Sequence, residues 1–410
     1  MTADRALPAL EIDAAAPSRA EPSGLWGRAF RPFFLGLSLF AAVAVPWWAL
    51  AWLGAWPAPS WVTPMLWHGH EMVFGFVGAA IAGFLLTASP VWSGGPALVG
   101  RPLAALFAVW VLGRAGLAAA GSLPAGLVAA VDLAFLPGVA LAVLRTLWGS
   151  GQLRNFGIAG IVLALAVANG FVHAEALGLA SGVAAPALRF AVDLVIVLIL
   201  VIAGRITPAF TRNALRLRGV ERSVRSWRSV GALTIGSAGA LAVATAVLGR
   251  SPLTGVLAAV AGLAAAVRLS GWQSWQVRSD PLLWSLHAGS AWVAAGLLLV
   301  AASDLGAGVP ATAGLHALTA GAMGSTILAV ITRVGLGHTG RPLVLPRGMV
   351  PGLVLVHAAA VARVAAPFFS SEGQRALLAA SGVAWAAAFV LFVVHYGPIL
   401  VRPRPDGRPG

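Results

Sequence analysis

Apolar residues run through this chain in long blocks, separated by short polar, glycine- and proline-bearing breaks. Twelve blocks are about 17–25 residues long, the length that crosses a bilayer core as a helix. They cover Phe30–Trp52, Trp67–Thr87, Leu103–Ala120, Ala125–Leu147, Phe156–Leu179, Leu188–Phe210, Ser229–Leu248, Leu253–Leu269, Leu282–Ala302, Ala311–Ile331, Met349–Ala366 and Ala376–Leu400. Backbone groups in hydrocarbon must be satisfied within their own segment, so each block predicts a helix. The seventh and eighth blocks, parted only by Arg250-Ser251-Pro252, are the least sharply divided. The pattern predicts an all-α polytopic membrane protein of about 12 transmembrane helices. Residues 1–27 read as a disordered tail, 28–401 as a single transmembrane domain and 402–410 as a second tail.

Composition supports this class and narrows the chemistry. The 410 residues are 59% hydrophobic and 10% charged, with mean hydropathy +0.88, outside the range of soluble globular domains. A net charge of +14 raises the question of nucleic acid, but the basic residues follow topology. With a cytoplasmic N-terminus, 22 of the 27 arginines fall on the cytoplasmic side, as the positive-inside rule requires. The exceptions are Arg114, Arg189, Arg250, Arg363 and Arg375. Both termini are therefore expected in the cytoplasm, with the lipid bilayer and no nucleic acid as partner. Trp47, Trp48, Trp52, Trp56, Trp61 and Trp67 crowd the outer ends of the first two helices, as an interfacial belt does. There is no cysteine, which excludes disulfides, iron–sulfur clusters, thiolate copper and covalently attached c-type haem.

A weak internal period is visible. Arg31, Arg154 and Arg278 each precede an odd-numbered helix, at intervals of 123 and 124 residues. His70, Asp193 and His316 follow at intervals of 123 and 123. Gly75 and Gly78 stand after His70 as Gly321 and Gly324 stand after His316. Three parallel four-helix units, residues 28–150, 151–274 and 275–401, would explain this register.

The eight histidines are the main chemical signal, because the bilayer penalises an unpartnered ionisable group. His68, His70, His173 and His316 fall toward the outer ends of their helices; His287, His338, His357 and His395 lie at mid-depth or toward the cytoplasm. Residues two apart on a helix project about 200° apart, so His68 and His70 face different neighbours. Glu71 beside His70, and Glu175 beside His173, are candidate second-sphere or proton-carrying carboxylates. Arg205, inside its helix, and Arg31, Arg333 and Arg341 at helix mouths are candidates to pair with haem propionates. For each histidine a hydrogen-bonded structural imidazole is the competing reading. Asn169 and Asp193 are buried polar candidates without an assigned role.

Several strings together resemble the NnrS family. They are Arg31-Pro32-Phe33-Phe34, Trp67-His68-Gly69-His70-Glu71-Met72, Arg154-Asn155-Phe156, Gly204-Arg205-Ile206-Thr207-Pro208, Leu283-Trp284-Ser285-Leu286-His287, Leu315-His316-Ala317-Leu318-Thr319 and Leu336-Gly337-His338-Thr339-Gly340-Arg341-Pro342-Leu343. The resemblance spans nearly the whole chain. It implies a bacterial inner-membrane protein of the nitric oxide and nitrosative-stress response, with one or two b-type haems and copper as a further candidate metal. The residues it carries over are His68, His70, Glu71, His173, His287, His316, His338 and Arg205. Our reading of the residues sets His70 and His316 as haem ligands, with His68 or His173 serving a second metal centre and His287 a further candidate ligand. Glu71 and Glu175 are the expected proton carriers for NO binding or reduction, which would also require an electron donor. A secondary transporter, and a haem-based sensor or protective protein without turnover, are the alternatives.

Overall fold

The computed structural model describes residues 23–58, 61–148, 150–151 and 153–408, apart from the side chains of Leu153 and Arg154. The tail over residues 1–22 and the Arg154 side chain of the repeat register lie outside the described residues. Twelve helices are long and apolar enough to cross a membrane. They are α1 Phe30–Trp52, α2 Pro64–Ser93, α3 Gly100–Ala118, α4 Ala125–Leu147, α5 Asn155–Ala176, α6 Ala184–Leu217, α7 Arg228–Leu248, α8 Pro252–Ser270, α9 Pro281–Asp304, α10 Ala311–Gly337, α11 Arg347–Phe368 and α12 Ser371–Val401. No strand occurs among the described residues. The division between α7 and α8 is real: Ser251 and Thr254 form a reciprocal N-terminal cap, with Pro252 as the first helical residue.

Each span packs on its neighbour in sequence, and α1 packs along α12 so that the first and last spans meet. Arg31, fully buried at the start of α1, donates from one guanidinium nitrogen to the carbonyls of Leu400 (2.8 Å) and Arg402 (2.7 Å). Those carbonyls lie in the last turn of α12 and at its C-cap, where a helix leaves acceptors unsatisfied. Gly24–Trp26, at the edge of the expected tail, form a 3-10 turn, with Trp26 packed against Phe107. The face carrying Ser23 and Arg408 is called the terminal face here, and the opposite one the far face.

The most buried span is α2, with 83% of its central window inside the protein, followed by α10. Both contain a stretch of π-helix. In α2 it runs Glu71–Val77 and begins on the residue after His70; in α10 it runs Ala317–Gly324 and begins on the residue after His316. π-Turns leave a carbonyl without its usual partner and cluster at functional sites. In α2 the Gly75 carbonyl accepts from the Trp110 indole at 3.0 Å. Helix α6, which carries Asp193, is α-helical throughout. Helix α4 is broken at Ala134, where Pro137 removes a donor and its ring crowds the Leu133 carbonyl. The break falls two residues after Asp132.

Candidate metal centre

Four spans bring polar side chains to one level near the far face. His70 and Glu71 come from α2, Arg114 from α3, Asp132 from α4, and Asn169 and His173 from α5. All six are buried. Each lies within about two turns of the far end of its span, so their depths agree. Glycine lets the helices close on one another here. A Cβ on Gly75 would meet the Arg114 guanidinium at 2.7 Å, and one on Gly113 would meet Asp132 Oδ1 at 3.1 Å.

Arg114 is the hinge of the electrostatics. One guanidinium nitrogen bonds Glu71 Oε1 and another bonds Asp132 Oδ1, joining α2, α3 and α4 through buried ion pairs. The second oxygen of Asp132 faces the imidazoles. Oδ2 lies 2.9 Å from His173 Nε2 and 3.2 Å from His70 Nε2, and accepts from Asn169 Nδ2 at 2.8 Å. Asn169 Oδ1 lies 2.8 Å from His70 Nε2, and Glu71 Oε1 lies 3.0 Å from His70 Nδ1. Trp61, in the α1–α2 connection, packs edge-on to His70 with ring centres 5.0 Å apart and also contacts His173 at 5.4 Å. Glu71 Oε2 and Arg114 Nε are buried without a hydrogen-bond partner among the described residues. With both imidazoles neutral, as they are when they ligate a metal, two carboxylates against one guanidinium leave one negative charge uncompensated.

The ligand atoms of His70, Asp132 and His173 lie within 4.8 Å of one another, and this is the one such group among the described residues. A tetrahedral ion with bonds of about 2.1 Å has donor–donor edges of about 3.4 Å, so a small adjustment admits a first-row metal. Two imidazoles and a carboxylate are a donor set for iron, copper or zinc.

The other expected residues distribute differently. The sequence reading grouped His70 with His316; the structure groups His70 with His173, and places His68 and His316 together on another side of α2. His68 stacks on Trp48 at 4.7 Å, as its opposed projection from His70 requires. His316 donates its Nδ1–H to the Thr312 carbonyl at 2.7 Å, leaving Nε2 as the nitrogen with a lone pair. These two histidines and Arg363 are electrostatic neighbours. Glu175 stands apart from the cluster: its Oε2 accepts from the Val183 and Ala184 N–H groups at 2.7 and 2.9 Å and caps the start of α6. His287 has both nitrogens engaged, by Thr211 at 2.9 Å and Ser274 at 2.8 Å. The Thr211 hydroxyl already donates to Thr207 O, so His287 Nε2–H donates to it and Nδ1 accepts from Ser274. Arg205 is exposed on α6 and donates to Asn155 Oδ1 at 3.3 Å.

His338 lies just past α10 at the terminal face and lines a cleft together with Trp92, Phe210 and Arg333. Phe84, Ile206, Leu286 and Val330 are shared with a second, apolar cleft between α1, α2, α6, α9 and α10. Of the side chains lining the two clefts, only His338 carries a nitrogen able to ligate iron. The Arg333 guanidinium lies over the Phe210 ring at 4.0 Å.

Asp132 and Arg114 are the residues that sequence reasoning missed. Positive-inside counting leaves Arg114 only as an exception to the topology, and it says nothing of Asp132. The signal was present: an acid and a base at similar depth in adjacent apolar blocks, where each demands a partner.

Twelve apolar spans around a buried His/Asp cluster define a multi-pass membrane protein with a candidate metal centre in its far half. The chain belongs to the NnrS family: the family model described as NnrS protein matches residues 24–404. No curated protein matches the chain.

Proposed function

We propose that this protein acts in the bacterial response to nitric oxide, with a transition-metal ion held by His70, Asp132 and His173 and haem held in the apolar cleft. The observation that carries the reading is the convergence of three ligand atoms, from His70, Asp132 and His173, inside a buried polar cluster. Membership of the NnrS family supplies the link to nitric oxide. NO is small and apolar and partitions into hydrocarbon, so a centre one to two turns below the membrane surface meets it where it concentrates.

For haem, the apolar cleft offers aliphatic and aromatic walls, and His338 and Arg333 line the adjoining cleft. His338 would supply an imidazole to hold the haem, and Arg333 would pair with a propionate. A haem held there would supply an iron able to bind NO. Glu71 would supply protons or hold His70 in orientation. The arginine bias supports a terminal face on the cytoplasmic side of the inner membrane.

The test is a purified protein in detergent, assayed for metal content and a Soret band, then titrated anaerobically with NO with and without reductant. We expect bound metal, a haem spectrum and a nitrosyl shift. Sustained NO consumption with reductant makes the protein an oxidoreductase. A shift without consumption makes it a sensor or protective protein. Absence of metal, haem and any response to NO overturns the reading, and a transport role moves ahead of it.

A further inference from the structure

The cluster's ionised groups are arranged so that one of them controls the charge of whatever binds there. Glu71 and Asp132 are buried acids, and Arg114 is the one guanidinium bonded to both. Arg114 also divides Asp132 between two tasks: Oδ1 is taken by the guanidinium, and Oδ2 alone faces His70 and His173. Asp132 is thereby presented to an ion as a one-oxygen ligand. The remaining unpartnered acceptor is Glu71 Oε2.

We propose that Arg114 is the residue that sets the charge of the cation accepted, favouring a monovalent ion over a divalent one; this rests on the metal reading above. With neutral ligating imidazoles, two carboxylates and one guanidinium leave a single negative charge. A monovalent ion such as Cu(I) neutralises that charge. A divalent ion such as Zn(II) leaves a net positive charge in a region where hydrocarbon replaces water, and uncompensated charge is expensive there. Without the guanidinium the cluster holds two negative charges, and the balance moves to divalent ions.

The experiment measures Cu(I) and Zn(II) affinities of the full chain in detergent by competition with chromophoric chelators. It compares wild type, Arg114→Met, Glu71→Gln and the double variant Glu71→Gln/Arg114→Met. Arg114→Met is expected to raise Zn(II) affinity relative to Cu(I) by at least tenfold. Glu71→Gln, which leaves the cluster neutral, is expected to weaken both ions. The double variant restores the single negative charge and is expected to return the Cu(I)/Zn(II) ratio to within a few-fold of wild type. A guanidinium that merely holds helices together would weaken both ions in Arg114→Met and leave the ratio unchanged, which overturns the proposal. If Arg114→Met does not accumulate, the double variant decides: a ratio shifted by tenfold or more from wild type is equally fatal. A wild-type protein that binds neither ion ends the metal reading itself. Binding with an invariant ratio ends only the role of Arg114.

Discussion

Asp132 Oδ2 and His173 Nε2 face each other across the α4–α5 interface at 2.9 Å, while the other oxygen of the same carboxylate is held by Arg114. One carboxyl group therefore does two separable things, joining an ion pair and presenting a ligand atom. Replacing Asp132 by Asn removes both. Breaking a buried pair by removing one partner costs about 3–5 kcal/mol, because the other charge is left without compensation. Asp132→Asn is expected to lose bound metal and to unfold at clearly lower temperature. His173→Ala should lose metal while keeping the Arg114 bridges, at a stability cost nearer the roughly 1–3 kcal/mol of leaving a buried polar group unpaired. Metal content and thermal unfolding in detergent check both. Wild-type metal content in the two variants would remove the triad from consideration.

A steric prediction isolates the position of Arg114 from its charge. Gly75 lies in the π stretch of α2, and a Cβ there would lie 2.7 Å from the Arg114 guanidinium and 3.2 Å from the Phe40 ring. The guanidinium is held by two carboxylates and has little room to retreat. Gly75→Ala should disturb the cluster without altering any ionisable group, lowering metal retention and thermal stability in the same direction as Asp132→Asn, by about 1–3 kcal/mol as for overpacked sites. Gly78→Ala serves as control, since its Cβ would meet Phe135 at an ordinary 3.6 Å. Equal, wild-type behaviour of the two variants would show that the close approach is not needed.

The fold was more legible than the site. Apolar block length predicted all twelve spans, because hydrocarbon leaves the backbone no alternative to helices, and the family strings identified the NnrS family that the match over residues 24–404 bears out. The far-face level of His68, His70, His173 and His316 followed from the same block boundaries. Which side chains meet did not follow, because helix rotation and the pairing of non-adjacent spans are written in packing, not in block length. His70 and His316 each stand directly before a π stretch, yet they face different neighbours. Asp132 escaped attention inside a run of alanine, valine and leucine, and the α4 break that follows it depends on a proline five residues further on.

The haem assignment gives a contrast between the two faces. His338→Ala is expected to abolish or shift the Soret band. Arg333→Gln should weaken haem retention about tenfold, in keeping with the roughly 1.5–3 kcal/mol of a hydrogen bond to a charged group. Asp132→Asn and His173→Ala should leave the Soret band intact. Haem content by pyridine haemochromogen and absorbance of each variant measure this. Loss of haem in His316→Ala with retention in His338→Ala would move the haem to the far face, beside His68.

Topology follows from the number of spans and the distribution of arginine, and it can be checked without cofactors. The α6–α7 connection is tied to the α8–α9 turn by the Arg225 N–H donating to the Gly271 carbonyl at 2.9 Å. It carries Arg218, Arg222 and Arg225, and it shares the terminal face with Arg278. The α9–α10 connection around Gly308 lies at the opposite end of both helices and carries no arginine. Positive residues are retained on the cytoplasmic side during insertion. Reporter fusions after Arg225 should therefore read cytoplasmic, and fusions after Gly308 periplasmic. The reversed pattern would keep the fold but turn it over, placing the His70–Asp132–His173 cluster near the cytoplasm. The same reading at both positions would break the twelve-span architecture itself.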